Sequence, residues 1–230
     1  MYKVRSKMKA ATMNLRINVL GARGVGKSAI AVRYLTKRFI GEYSSGLDIS
    51  YQTTYTSGDG PVKVDILDTS CQDDCQASCH DVYDADAFVV VYSVTDTDSF
   101  AEARRQLDNI RSQSQACAPV LLMGNKLDLD HARKVFPSEV EQVAEENSCQ
   151  HTEVSAAECH VLIVNSLHSL IADTVSALRH RGRSVKRRRS LFENVSRKLG
   201  SVFRRKSFDD SSPTMKKKIL RFAHNNRHSV

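Results

Sequence analysis

The chain has 230 residues, of which 41% are hydrophobic, and this is enough for one folded domain with additional segments. There is no run of about 18 apolar residues to predict a membrane-spanning helix, and residues 1–15 lack the apolar centre of a secretory signal. Six cysteines in a chain of this length do not predict a disulfide framework, so we expect reduced thiols and a cytosolic protein.

Charge is distributed unevenly along the chain. Residues 179–230 contain 17 Lys and Arg but 3 Asp and Glu, a net charge of +14, whereas residues 1–178 contain 17 and 23, a net charge of −6. This asymmetry predicts a mildly acidic globular body followed by a basic arm for an acidic partner. We therefore expect a disordered basic arm over residues 1–13, a globular domain over 14–178 and a basic tail over 179–230.

Apolar runs typical of buried strands recur along the body, and helical patterns separate the later ones. The turn signal SGDG divides residues 51–67 into two strand-like runs, which predicts a hairpin and an antiparallel edge. The alternation predicts an α/β fold whose mostly parallel sheet is flanked by helices and binds ligands at the carboxyl ends of its strands. The strand candidates are residues 15–20, 62–67, 87–94 and 120–125, and the helix candidates are 29–37, 100–112, 137–147 and 161–178.

GARGVGKS, residues 21–28, lies between a predicted strand and a predicted helix and matches the phosphate-loop pattern G-x-x-x-x-G-K-[ST]. Glycines let successive amides face phosphate oxygens, and the helix N-terminus adds its dipole. Lys27 would reach the β- and γ-phosphates, and Ser28 would offer a hydroxyl to Mg²⁺. The alternative, a glycine-rich turn that matches by chance, is disfavoured by this context. The candidate phosphate-binding residues are Gly21, Arg23, Gly24, Val25, Gly26, Lys27, Ser28 and Ala29.

NKLD, residues 125–128, directly follows a predicted strand. Asp128 could accept hydrogen bonds from N1–H and the 2-amino group of guanine, an edge that adenine lacks. Asn125 could tie the loop together, and the Lys126 stem could cover the ring. Alone this motif is a polar turn, but behind a phosphate loop it becomes specific.

Two further motifs follow strand candidates. The dipeptide DT, residues 68–69, directly follows the strand candidate 62–67. A carboxylate at the position of Asp68 can hold a water bound to Mg²⁺. SAA follows the short run HTEV, and its amides could contact the guanine carbonyl. This adds Ser155, Ala156 and Ala157 to the candidate nucleotide-binding residues.

In GARGVGKS, DTSCQ, NKLD and SAA, in this order, the chain resembles the Ras superfamily of small GTPases over residues 14–178. RYLTKRFIGEY, residues 33–43, is most similar to an atypical branch that contains the Ras-related estrogen-regulated growth inhibitor and Ras-like proteins. The resemblance implies a P-loop G domain with six strands and five helices, GTP and GDP as ligands, Mg²⁺ as cofactor, and hydrolysis of GTP to GDP and phosphate. It also implies that Phe39 packs against guanine, that Gln72 orients the attacking water, and that effector and regulator proteins bind two switch segments.

Arg23 departs from the family pattern, because most members have a glycine beside the γ-phosphate. A long side chain there should crowd both the attacking water and an arginine finger supplied by a partner. For Ras, such a finger raises the hydrolysis rate by about 10³–10⁵. We therefore expect slow hydrolysis. In a rival hypothesis Arg23 turns inward as its own finger, and in a third it points to solvent without effect.

Three other positions also depart from the family. The switch I threonine falls on Gly46, which lacks a hydroxyl, although Ser45 could substitute by a register shift. Cys71 replaces a glycine whose backbone freedom matters near the γ-phosphate, and Ala157 replaces a lysine. We expect nucleotide binding to survive these changes and a slow GTPase switch to result. The alternative is a non-catalytic adaptor that binds nucleotide and signals through its switch surface and tail.

The segment CQDDCQASCH places Cys71, Cys75 and Cys79 four residues apart, with His80 adjacent. Zinc accepts these ligands, but structural zinc sites more often pair them on a tight turn. A redox-sensitive switch is a second interpretation. We adopt the third, ordinary thiols without a special role.

The basic tail contains an amphipathic helix candidate over residues 190–206, weakened by Gly200. Such a helix fits an anionic membrane surface or a calmodulin-like groove. Nucleic acid is not favoured, because no aromatic residues interleave the charges. Its apolar side chains fall within an arc of about 120°: Leu191, Phe192, Val195, Leu199, Val202 and Phe203.

The end of the tail, RHSV, has no C-a-a-X motif, so we expect no prenylation. The predicted localisation is cytoplasmic with reversible attachment to the inner plasma membrane, and KRRRS makes nuclear import a further option. Ser190 and Ser207 follow RRR and RRK, where phosphorylation would cancel positive charge. We expect a monomer.

Overall fold

The computed structural model describes residues 13–41, 48–57, 60–69, 82–113 and 118–203, with residues 182–203 described by their backbone alone. The predictions for the N-terminal arm up to residue 12, for switch I residues 42–47, for the cysteine segment 71–80 and for residues 204–230 lie outside these ranges. The chain divides into two units, Met1–Arg179 and His180–Val230.

Within the described residues, six strands form one sheet, in the order β2-β3-β1-β4-β5-β6. β2 and β3 pair antiparallel, and every other neighbouring pair is parallel. This confirms the predicted α/β fold and its antiparallel edge. The strands are β1 Met13–Leu20, β2 Ile49–Ser57, β3 Gly60–Asp68, β4 Ala87–Ser93, β5 Val120–Asn125 and β6 Gln150–Glu153.

The described part of the chain contains four α-helices and one 3-10 helix, Leu127–Ala132. The second α-helix begins three residues before the apolar pattern that predicted it, because Asp96 accepts hydrogen bonds from the amides of Asp98 and Phe100 and so starts the helix on polar residues. The α-helices are α1 Lys27–Thr36, α2 Thr97–Gln113, α3 Pro137–Glu146 and α4 His160–Phe203. The helical backbone of α4 includes residues 190–203 of the tail.

In the part of the chain that the structure describes, two hydrophobic cores cover the two faces of the sheet. On one face, side chains of α1 and of the first half of α4 pack against β1, β3 and β4. On the other face, α2 and α3 pack against β4 and β5. All seven residues of β4 are buried, as expected for a central strand covered on both faces. Because all strands except β2 run parallel to one another, their carboxyl ends lie at one edge of the sheet.

Helix α4 contains the segment His160–Arg181, which by length and composition alone could cross a membrane and which is the one such helix within the described residues. Its inward side chains, including Leu167, Leu170 and Ile171, belong to the core beside α1. One face of this segment is therefore part of the protein core.

Candidate functional site

The loop between β1 and α1 is shaped by glycines in backbone conformations that other residues rarely adopt. Gly21, Gly24 and Gly26 have φ angles of 138°, 78° and 99°. A Cβ atom on Gly26 would collide with Nδ2 of Asn125, and one on Gly21 would collide with the carbonyl oxygen of Val91. The phosphate-loop glycines therefore permit both a left-handed backbone and close contact with β4 and β5.

The N-terminus of α1 opens directly from this loop. Gly26 occupies the N-cap position, and no side chain of the described residues caps the helix. The first turn carries no acidic residue. The amides of the first turn and the positive end of the helix dipole are thus available to an anion.

Lys27 is buried at this helix end, with 8% of its surface exposed. Its Nζ atom donates to the carbonyl oxygens of Gly21, at 2.8 Å, and Ala22, at 2.9 Å. Among the described residues, no carboxylate lies within ion-pair distance of this ammonium group. Both hydrogen-bond acceptors of this buried cation are neutral carbonyl oxygens, so an anion that binds directly to the ammonium group would be favourable here.

Asp68 lies at the end of β3 and is 3% exposed. Burial raises the pKa of its carboxyl group above the usual value, and nearby Asp48 acts in the same direction. A hydrogen bond from the Ser28 side chain and the charge of Lys27 oppose this rise in pKa. The adjacent Thr69 donates from Oγ1 to the carbonyl oxygen of Val19, at 2.7 Å, which fixes the end of β3 to β1.

Ser28 and Asp68 together supply a hydroxyl and a carboxylate beside the phosphate loop. Mg²⁺ prefers hard oxygen ligands, usually one or two from the protein. A cation would also offset the cost of burying the Asp68 carboxylate, which burial already disfavours in its charged form. The residues present therefore fit Mg²⁺.

Asn125 links three segments that end at the same edge of the sheet. Its Nδ2 atom donates to the carbonyl oxygen of Val25 in the phosphate loop, at 2.8 Å, and its Oδ1 atom accepts from the amide of Ala156, at 3.1 Å. Asp128 accepts a hydrogen bond from Ser155 Oγ at 2.6 Å. The structure thus brings NKLD and SAA together against the phosphate loop.

Several candidate residues are open at this edge. Asp128, Ala157 and Arg23 are exposed, and Lys126 is half-buried with a φ of 68°. Phe39 follows α1 and is 45% exposed. Within the described part of the chain, Arg23 forms no hydrogen bond or ion pair. Its φ angle is not positive, so the arginine fits this position of the loop without backbone strain.

Two of the predicted site residues lie in a part of the chain that the structure does not describe, and two supporting residues have no recognisable sequence signal. Gln72 and Cys71 lie outside the described residues. Arg133 and Glu153 form a half-buried ion pair next to NKLD and SAA that the sequence does not predict. In the sequence, Arg133 lies shortly after NKLD and Glu153 lies shortly before SAA, but no spacing rule relates the two residues.

A glycine-shaped loop at a helix N-terminus, a buried lysine and a second polar loop two strands away in the sheet define the site of a P-loop nucleotide-binding protein. The family model described as "Ras family" matches residues 16–175. The chain belongs to the Ras family of small GTPases, which confirms the predicted superfamily and supports a GTP-binding signalling switch.

The chain is also similar to individual proteins that are named as Ras-related or Ras-like. The chain is 36% identical over 205 residues to the Ras-related and estrogen-regulated growth inhibitor-like protein of Bos taurus, covering 84% of this chain and 98% of the relative. It is 34% identical over 196 residues to the Ras-related and estrogen-regulated growth inhibitor of Homo sapiens, covering 84% and 96%. It is 36% identical over 171 residues to Ras-like protein family member 11B of Danio rerio, covering 69% and 68%.

Proposed function

We propose that this chain is a signalling switch that binds GTP and GDP at the β1–α1 loop and hydrolyses GTP slowly. The observation that carries the proposal is the buried ammonium of Lys27, which has two carbonyl acceptors and no ion-pair partner among the described residues. Phosphate oxygens would supply the missing negative charge, and the uncapped amides of α1 would donate to the same group.

Guanine selection follows from the second loop. Asp128 is exposed at the edge of the sheet, and Ser155 holds one of its carboxylate oxygens. The remaining acceptor capacity of the carboxylate would take the N1–H and 2-amino donors of guanine. Lys126 and Phe39 would cover the ring faces, and the amides of residues 155–157 would contact the guanine carbonyl.

Ser28 and Asp68 are the residues that would hold Mg²⁺. When bound, the metal ion would neutralise charge that develops between the β- and γ-phosphates. Asp68 is held in place for this role by the link between Thr69 and β1. Lys27 and Ser28 are the first two residues of α1, so Lys27 and Ser28 would approach the phosphates from one element.

The proposed slow hydrolysis rests on Arg23. An exposed guanidinium group at the phosphate loop would crowd the γ-phosphate side of the site, while Gln72 would still position water. The replacement of family residues by Gly46 and Cys71 points in the same direction. The alternative, from another functional class, is an adaptor that binds nucleotide without turning it over.

The test is the identity of the nucleotide that the purified full chain carries, released by denaturation and separated by chromatography. GDP supports a switch that hydrolyses GTP, whereas GTP supports a sound pocket with blocked chemistry. With GTP retained, single-turnover hydrolysis at saturating Mg²⁺ then separates a slow enzyme from an adaptor. An empty pocket that also fails to bind added GDP would contradict nucleotide binding itself.

For the tail, we propose reversible binding to an anionic membrane surface. Residues 179–230 carry a net charge of +14, and each Lys or Arg near an anionic bilayer contributes about 1 kcal/mol. Helical backbone through Phe203 supports an amphipathic segment of the kind that lies on such surfaces. Binding to vesicles that contain phosphatidylserine tests this proposal, and binding to calmodulin without binding to vesicles would favour the peptide-groove alternative.

A further inference from the structure

A half-buried ion pair lies behind the two base-recognition motifs. Arg133 Nη1 and Nη2 donate to the two carboxylate oxygens of Glu153, at 2.8 and 2.7 Å. The Arg133 side chain is 14% exposed and that of Glu153 is 18% exposed. Neither side chain is needed by the nucleotide contacts proposed above, so their pairing requires a separate explanation.

The pair is part of a larger network. Arg133 Nε donates to Asp130 at 2.6 Å, and Nη1 also donates to the carbonyl oxygen of Val135 at 3.0 Å. On the other side, the fully buried Tyr92 donates its hydroxyl to Glu153 at 3.4 Å. These contacts hold the pair at a defined place between β4, β6 and the 3-10 helix.

The space around this network is tightly filled. A Cβ atom on Gly124, the residue before Asn125, would lie 2.6 Å from the Tyr92 hydroxyl oxygen and 3.2 Å from Cγ of Glu153. The network therefore packs closely against the carboxyl end of β5, directly before NKLD. The hydrogen bond from Tyr92 to Glu153 and the charge of Glu153 add to burial in raising the pKa of the Tyr92 hydroxyl.

Both members of the pair are joined closely to the base-recognition loops. Glu153 ends β6, two residues before Ser155. The amide of the next residue, Val154, donates to the carbonyl oxygen of Gly124, and its carbonyl oxygen accepts from the amide of Leu127. Arg133 directly follows the 3-10 helix that contains Asp128. A fork of two parallel hydrogen bonds fixes both distance and orientation, unlike an apolar contact of equal area.

We propose that Arg133 and Glu153 are positioning residues that set the separation between NKLD and SAA and thereby determine selectivity for guanine. The role rests on the proposed contact between Asp128 and the guanine edge. Apolar pairs often replace buried ion pairs without loss of stability, so stability alone does not account for an ion pair here. Directional pairing instead keeps Asp128 and the amides of residues 155–157 in register for the base.

The test compares GDP with inosine diphosphate, which lacks only the 2-amino group. We would prepare the full chain with Arg133→Met, with Glu153→Gln and with the conservative Arg133→Lys, and measure dissociation constants for both nucleotides together with thermal unfolding. Arg105→Met is the matched control, because Arg105 pairs with Glu102 at 2.7 Å on the surface of α2.

We expect Arg133→Met and Glu153→Gln to lower the preference for GDP over inosine diphosphate by about tenfold, and by up to about a hundredfold if the carboxylate moves by 1 Å. Arg133→Lys should lower it less, and Arg105→Met should leave it unchanged. Glu153→Gln keeps its size and an acceptor for Tyr92, so it tests the proposal even if Arg133→Met fails to fold.

An unchanged preference in folded variants, even with a lower unfolding temperature, would overturn the proposal and leave a purely structural pair. Loss of preference in the Arg105→Met control would also overturn it. If the wild-type chain itself binds neither nucleotide, the proposed guanine site is wrong, and this outcome is distinct from failure of the positioning role.

Discussion

Ser155 Oγ lies 2.6 Å from Asp128 Oδ1, and this hydrogen bond joins the loops that follow β5 and β6. The same oxygen of Ser155 accepts from the amide of Glu158, at 3.2 Å. Ser155 is therefore a bridge between the carboxylate proposed to read guanine and the turn that leads into α4. This bridge joins the two loops in addition to the hydrogen bond between the amide of Ala156 and Asn125 Oδ1.

Ser155→Ala is expected to weaken GDP binding. A hydrogen bond to a charged group contributes about 1.5–3 kcal/mol, which corresponds to roughly a tenfold to hundredfold change in affinity. Fluorescent-nucleotide titration measures the change. Ser112→Ala is the control, because Ser112 is an exposed residue that donates only to the carbonyl oxygen of Asn109. Equal GDP affinity in wild type and Ser155→Ala would refute the bridge as a binding element.

Gly26→Ala is expected to abolish nucleotide binding, because the added methyl group would collide with Asn125 Nδ2 and the backbone is left-handed. Gly60→Ala is the matched control. It has a φ of 124° but open space around the new methyl group, so it should cost about 1–2 kcal/mol of unfolding free energy and leave binding intact. Thermal unfolding with and without GDP distinguishes the two variants. Normal GDP binding by Gly26→Ala would show that the loop tolerates a side chain there.

Arg23→Gly separates the three hypotheses for Arg23 in a single-turnover GTPase assay. If the side chain crowds the attacking water, hydrolysis should accelerate by about tenfold, equivalent to ~1.4 kcal/mol of the barrier. If Arg23 serves as its own finger, the rate should instead fall. Arg104→Ala, on the exposed face of α2, should not change the rate. An unchanged rate in Arg23→Gly would favour the solvent-facing interpretation.

Ser190→Asp combined with Ser207→Asp is expected to release the chain from vesicles that contain phosphatidylserine. Two added negative charges offset about two Lys or Arg, or about 2 kcal/mol of membrane attraction. Cosedimentation measures the bound fraction. The control adds the same charges to the acidic body, as Ser112→Asp and Ser138→Asp, and should bind as wild type does. Retained binding by the tail variant would count against an electrostatic attachment.

The parts of this molecule that the sequence predicted are local. GARGVGKS fixes a turn, a helix start and the position of Lys27 within eight residues, and SGDG separates β2 from β3. The apolar period predicts a start of α2 at Phe100, which is three residues too late, because Asp96 accepts a hydrogen bond from the Asp98 amide and the helix begins at Thr97. Pairing of Arg133 with Glu153 could not be foreseen, because the two are twenty residues apart and meet only once β6 joins the sheet.

The central claim is that the buried ammonium group of Lys27 binds the phosphates of the nucleotide. Ligand-induced thermal stabilisation tests this claim most directly. GDP at 100 times its dissociation constant should stabilise the wild-type chain by about 2.7 kcal/mol. Lys27→Met should lose nearly all of this stabilisation, whereas Lys63→Met, at an exposed position of β3, should keep it. Equal stabilisation of wild type and Lys27→Met by GDP, or none in the wild type, would contradict the account.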